Sequence, residues 1–522
     1  MKAHSFGRAV AVAILVLGIP SIVPAAETVD LRIVQRIRAE GLENSKVADT
    51  VGWLSDVYGP RLSNSPQYRA AGAWVIDKLK ELGMANAAME PWGTFGRGWE
   101  LRKFYAAMTA PVYMPLVAYP KAWTPGTNGL VKGSPVLVEA RTVQDLEKYK
   151  GKIKDAFVFL QPERELEISF APDASRLAEG DLKTLAKTPD PAVRPANAAR
   201  MEERRIRQEF QQAANRFFKE EGAVALFEPS QGKNGTIFVQ SGGSQMKGAS
   251  EPLPSVVVSV EQYNRIVRIL RKNVPVSLEV DIQAGFIEDD TQGYNVVGEI
   301  PGTDKKLKDQ IVMLGGHFDT WHGGTGATDD GAGCAVAMEA LRILKAIGVQ
   351  PRRTIRIALW DAEEQGLVGS REYVKNHFFD RAKKEKKPEY DRLSAYFNFD
   401  NGSGKIRGIY AQGNLAAAPI FRDWLEPFRD LGAETVALRN TGGTDHLSFD
   451  AVGLPGFQFI QDDLEYDTLT HHSTMDVYDH LSIGDLMQAA TVMASFVYNA
   501  AMRDEMMPRE FFDPNAPARG MF

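Results

Sequence analysis

Residues 311–338 read Ile311-Val-Met-Leu-Gly-Gly-His317-Phe-Asp319-Thr-Trp-His-Gly-Gly-Thr-Gly326-Ala-Thr-Asp329-Asp330-Gly-Ala-Gly-Cys334-Ala-Val-Ala-Met338. An apolar, β-rich run ends in His-x-Asp, a glycine-rich loop follows, and an apolar helical pattern opens directly behind it. Outward from this strand–loop–helix unit the alternation continues. Residues 309–314, 354–360, 394–399 and 456–460 read as strands, and residues 331–347 and 416–428 as helices. Strands alternating with helices predict an α/β fold whose parallel or mixed central sheet is covered on both faces. In such sheets a site forms beyond the carboxyl ends of the strands.

Those strand ends carry the chemistry. His317 and Asp319 stand two residues apart on a strand, so their side chains face the same way, and an imidazole with a carboxylate beside it suits zinc. The loop Gly326-Ala-Thr-Asp329-Asp330 places two aspartates where the chain turns into a helix. One carboxylate there can bridge two cations while the other accepts from backbone N–H groups at the helix start. After the strand 354–360 come the adjacent Glu363 and Glu364, which project in different directions, so one can ligate a metal while the other collects a proton. Asp400 closes the strand 394–399, and His471-His472-Ser-Thr-Met-Asp476 follows the strand 456–460. A lone histidine beside an aspartate is more often structural. Four strand ends each delivering a ligand point to a metal centre.

The rest of the chain sets the frame. Its 522 residues exceed one ordinary core and predict two or three structural units. The apolar share of 44% with 25% charged residues is that of a soluble globular chain, and a net charge of −6 gives no overall attraction to nucleic acid. Lys2 and Arg8 precede an apolar run from Ala9 to Val23, with small residues at 24–26, which reads as a signal peptide over residues 1–26. That reading predicts export, to the periplasm or the medium, without stable membrane insertion after cleavage. The single cysteine, Cys334, excludes an intramolecular disulfide, and its apolar helical setting reads as a buried thiol. Helical periodicity runs from Val29 to about Met84, broken by a loop at 58–66. Short β-rich runs at 135–138, 156–160 and 255–259, with a helix at 261–270, suggest an inserted β-rich unit. Residues 163–200 are rich in Ala, Pro and charge and lead into a charged helix at 201–221, which suggests a mobile segment or lid.

With these motifs assembled, the chain resembles the zinc exopeptidases of metallopeptidase family M28, the aminopeptidase and glutamate carboxypeptidase type. The resemblance rests on His317-x-Asp319, Gly326-Ala-Thr-Asp329-Asp330, Glu363-Glu364-Gln-Gly-Leu-Val-Gly-Ser, Asn398-Phe-Asp400, Gly443-Thr-Asp445-His446 and His472-Ser-Thr-Met-Asp476, in the family's order. The stretch from His317 to Asp330 is similar to the plasma glutamate carboxypeptidase branch, which cleaves dipeptides. It implies a zinc-exopeptidase fold with a mixed, mostly parallel sheet between helices, and an inserted protease-associated domain. The implied division is 27–124 for the N-terminal part of the catalytic domain, 125–290 for the insert, 291–510 for the zinc-peptidase domain and 511–522 for a tail. By motif, His317 and Asp400 would bind one zinc, Glu364 and His472 a second, and Asp329 would bridge them. Glu363 would be the general base and Asp319 would orient His317. Asp445, His446 and Asp476 would support the metals or face the substrate, and His471 would be a neighbour without a metal. The implied reaction is hydrolysis of terminal bonds of dipeptides or short peptides by a metal-activated water. The resemblance leaves a homodimer open, along with two other functions on the same fold: a single-zinc, glutaminyl-cyclase-like acyltransferase and a non-catalytic receptor.

Overall fold

The computed structural model describes residues 27–187 and 198–515, so the expected signal peptide lies outside the described residues. Eight strands form the central sheet. They are β1 (Ala85–Thr94), β2 (Gln292–Ile300), β3 (Ile311–His317), β4 (Thr354–Trp360), β5 (Leu393–Asn398), β6 (Ile406–Tyr410), β7 (Thr435–Ala437) and β8 (Gly456–Gln461). Their order across the sheet is β1-β2-β4-β3-β5-β8-β6-β7. The four central strands β4, β3, β5 and β8 run parallel, while β1, β2 and the β8–β6 pair introduce antiparallel neighbours. The sheet is therefore mixed with a parallel centre. Every residue of β3, β5 and β8 is buried, as expected of strands covered on both faces.

Helices α1 (Leu31–Glu43), α3 (Ala332–Ala346) and α5 (Ile483–Met502) share a large apolar core with one face of the sheet, and α2 (Pro66–Glu81) joins them beside β2. Small residues let α3 pack closely against both α5 and the sheet: Ala332, Cys334, Ala335, Ala337 and Ala340 are all fully buried. On the other face, α4 (Val368–His377) packs Tyr373 and Val374 against Trp360, Tyr396 and Phe449. Among the described residues no helix is long and apolar enough to cross a membrane.

A second body of β-structure stands beside this sheet. The long strands Gly98–Ala110 and Ser277–Ile287 pair antiparallel along their length, and a five-stranded sheet includes Pro135–Leu137, Phe157–Phe159, Ala225–Pro229 and Ser255–Val258. Helix Val260–Arg271 shares a core with both through Tyr263, Ile266 and Val267. Sequence periodicity did not reveal β1, β2, β6 or β7. β1 contains Pro91 and β7 has three residues, and both lie at edges of the sheet, where pattern is weakest.

The segment after Glu163 includes order that its composition concealed. Ser175 exchanges both backbone hydrogen bonds with Leu464, and the Arg176 guanidinium pairs with Asp462 and Asp485. A two-turn helix at Glu179–Lys187 then buries Leu182 against Ala437 and Ile460, covering the β7 edge. A helix this short shows little periodicity, and its stability comes from tertiary contact.

Candidate metal centre

The parallel centre of the sheet brings the predicted residues together. His317 ends β3, Glu363 and Glu364 follow β4, Asp400 follows β5, and His472 lies 11 residues beyond the end of β8. Nε2 of His317 is 3.0 Å from Oδ1 of Asp329 and 3.7 Å from Oδ1 of Asp400. Nε2 of His472 is 2.9 Å from Oε2 of Glu364 and 3.4 Å from Oδ2 of Asp329. Asp329 thus stands between two imidazoles and offers a different oxygen to each.

The neighbouring aspartate does other work. Asp330 accepts from the N–H groups of Gly333 and His317, tying the start of α3 to the end of β3. The ambiguity between the two aspartates is therefore one of geometry: both are buried, and of the two only Asp329 meets the His317 and His472 rings. Asp476 accepts from the N–H and hydroxyl of Thr328 and so fixes the loop just before Asp329.

Asp319 acts in two ways. Its backbone carbonyl lies 2.9 Å from Nδ1 of His317 and orients the ring, whereas its carboxylate is 3.8 Å from that nitrogen. The carboxylate accepts from the N–H groups of Glu363 and Glu364 and from the Ser63 hydroxyl, setting the turn that carries both glutamates. Gln458 donates to the Asp400 carbonyl, and Asn398 bridges Gln458 and Thr444, which steadies the end of β5. Asp445 and His446 are fully buried. Nδ1 of His446 has no hydrogen-bond partner among the described residues, while its Nε2 faces the Thr441 carbonyl.

His471, which the motif leaves without a metal, is nearer than sequence implied. Its Nε2 is 4.0 Å from Oδ2 of Asp329, and its ring lies 3.7 Å from that of His472. Asp329, His471 and His472 therefore form one group of converging ligand atoms, and His317, Asp329 and Asp400 another. Cys334 is buried beneath the site with its thiol on the His317 carbonyl at 3.0 Å, and burial pushes its pKa up, away from nucleophilic use.

The electrostatics are those of a cation site. Burial raises Glu364 and Glu363, the neighbouring carboxylates raise them further, and the His317 imidazole opposes both. Burial would also raise Asp329, but His317, His472 and His471 around it outweigh that and hold it well below the usual carboxylate range. His317 shows the reverse balance, with burial lowering it and Asp400 and Asp329 driving it well above its ordinary value. Oε1 of Glu364 is buried with no hydrogen-bond partner among the described residues. An orphaned carboxylate oxygen among three acids and two imidazoles is the donor set that borderline divalent ions such as zinc take up.

Sequence reasoning missed Arg61. Its fully buried guanidinium donates to the carbonyls of Phe318, Leu54, Thr325 and Gly326, clamping both ends of the loop between His317 and Asp329. The segment Tyr58-Gly-Pro-Arg61-Leu was visible, but nothing local to it says where its arginine points.

Residues 295–497, the span holding every one of these candidate ligands, match the profile of peptidase family M28. Over 288 residues it is 29% identical to mouse carboxypeptidase Q, covering 55% of this chain and 58% of that protein, and over 257 residues it is 31% identical to the human form, covering 49% and 52%. The matched stretch thus spans about half the length of these curated relatives. Across the fold, a peptidase M28 precursor from Shewanella amazonensis superposes with a TM-score of 0.64 at 25% identity, covering 92% of this chain and 98% of its own. A zinc aminopeptidase from Bacillus subtilis shares the fold at a TM-score of 0.55 and 17% identity, covering 88% of this chain and 95% of its own. The mixed α/β sheet of this chain is the architecture of those neighbours.

Proposed function

We propose that the protein is a dinuclear zinc exopeptidase that hydrolyses terminal bonds of dipeptides or short peptides. The single observation that carries this reading is Asp329, whose two oxygens meet His317 at 3.0 Å and His472 at 3.4 Å on opposite sides. His317 and Asp400 would hold one ion, Glu364 and His472 the other, and Asp329 both. Zinc bound there supplies Lewis acidity, bringing a water's pKa to about 7 and polarising the scissile carbonyl.

The chain's own residues do the rest. Glu363, its proton affinity raised by burial and by Asp400, Asp445 and Glu364, takes a proton from the attacking water and returns it to the leaving amine. Asp319 holds the Glu363–Glu364 turn through two backbone N–H groups, so base and ligand keep their spacing. No side-chain nucleophile is required, and the buried Cys334 is unsuited to be one.

The similarity to carboxypeptidase Q and to aminopeptidases supports exopeptidase specificity of one polarity or the other. On the same reading, residues 125–290 form an accessory protease-associated-like unit and the leader at 1–26 directs export. Purified protein offered unblocked, N-blocked and C-blocked dipeptides, with zinc measured per chain, tests the function. Two zincs and cleavage of unblocked dipeptides are expected. One zinc with cyclisation of N-terminal glutamine, or no turnover of any peptide, would refute it.

A further inference from the structure

Residues 236–241 come from the β-rich body beside the catalytic sheet, and they reach the candidate ligand His472. Thr474 donates its N–H to the Ile237 carbonyl, Phe238 and Ser473 form an antiparallel bridge, and Val239 donates its N–H to the His472 carbonyl at 3.1 Å. The strap is anchored behind, where Ile237 and Val239 are buried with Val257 of the five-stranded sheet. It is confined in front as well: a side chain added at Gly323 would meet Val239 at 2.6 Å. At its end the Gln240 amide lies 2.8 Å from Nδ1 of His472.

Two independent features of His472 call for such a support. Its backbone sits at φ +62°, the left-handed region that a non-glycine residue enters at a cost, so something must hold it there. The Val239 N–H on its carbonyl does so. Its ring has Nε2 turned to Glu364 and Asp329, so a metal on Nε2 requires the proton on Nδ1 and an acceptor beside it. The Gln240 amide is the group in that place, and a half-turn of the amide presents its oxygen.

We propose that Gln240 is a positioning residue of the metal centre, fixing the tautomer and tilt of His472 from the accessory body, with the strap 236–241 as its mount. This rests on the zinc reading above and extends it: the catalytic sheet alone does not complete its own centre. Gln240 is solvent-exposed, so changing it leaves the core untouched.

The test measures zinc affinity by chelator competition in the parent, Gln240→Leu and Gln240→Glu, with melting of the metal-free proteins alongside. In Gln240→Leu, one of two zincs is expected to bind about tenfold more weakly or worse, the other as in the parent, with melting within about 1 °C of the parent. Gln240→Glu, which offers Nδ1–H a stronger acceptor, is expected to restore the affinity. A cobalt-substituted Gln240→Leu should show an altered visible spectrum. If the parent binds two zincs and cleaves dipeptides while Gln240→Leu keeps its full affinity, or Gln240→Glu loses as much as Gln240→Leu, the positioning role is overturned and the peptidase reading stands. A parent that binds no zinc overturns both.

Discussion

Replacing Arg61 by methionine isolates one buried clamp. The substitution keeps most of the aliphatic stem and removes the guanidinium, whose donors reach Phe318 at 2.9 Å, Leu54 at 2.7 Å and Gly326 at 2.9 Å, with a longer contact to Thr325 at 3.4 Å. Each buried carbonyl left without its donor costs about 1–3 kcal/mol, and neighbouring losses add incompletely, so a total of about 3–5 kcal/mol is expected. Unfolding entropy of about 2.1 cal/mol/K per residue gives about 1.1 kcal/mol/K for the 522-residue chain, which converts that loss to a fall in Tm of about 3–5 °C. The clamp also sets the loop bearing Asp329, so zinc affinity should drop with it. Calorimetry of metal-free and zinc-loaded protein, with a chelator titration, measures both. A variant melting within 1 °C of the parent and binding zinc equally well would refute the claim that Arg61 holds the loop.

The other predictions concern the site and its surroundings. Glu363→Gln should retain zinc and lose about 10²–10⁴-fold in turnover, checked by metal content and steady-state kinetics, and an unchanged rate would remove Glu363 from the mechanism. Asp329→Ala should lower zinc per chain, whereas Asp330→Asn should keep the zinc and lower stability, because Asp330 serves backbone N–H groups; metal analysis beside urea unfolding separates them. His377, away from the centre, lies between Glu90 at 2.5 Å and Glu389 at 3.4 Å. Burial would lower it, but these acids raise it from 6.5 to about 9, and against burial His377 and Arg356 bring Glu389 from 4.5 down to about 2. The histidine's contribution is complete below pH 6.5 and lost as pH rises through 9, and the glutamate's is complete above pH 4.5 and lost as pH falls through 2. The stability gap between parent and His377→Ala should therefore be widest between pH 4.5 and 6.5, and a gap constant up to pH 10 in urea titrations would contradict the pairing.

Much of this protein was legible along the chain. The strands 311–317, 354–360, 393–398 and 456–461 announced themselves because parallel, doubly covered strands must be apolar throughout, and helix 332–346 because its register of small residues repeats. The candidate ligands were legible too: His317 and Asp400 stand at strand ends and Glu364 just after one, while Asp329 and His472 lie in the loops that follow, within recognisable motifs. Tertiary structure alone decided how those ends are used. Only convergence shows that Asp329 faces the histidines while Asp330 turns to backbone N–H groups, and that His471 stands 4.0 Å from Asp329. Arg61 and Gln240 belong to the same class, as Arg61 reaches Phe318 and Gly326 and Gln240 reaches His472, each more than 200 residues away in sequence. A periodic pattern records which face a residue presents, but a hydrogen bond between distant segments depends on where two loops come to rest, and no local propensity encodes that distance.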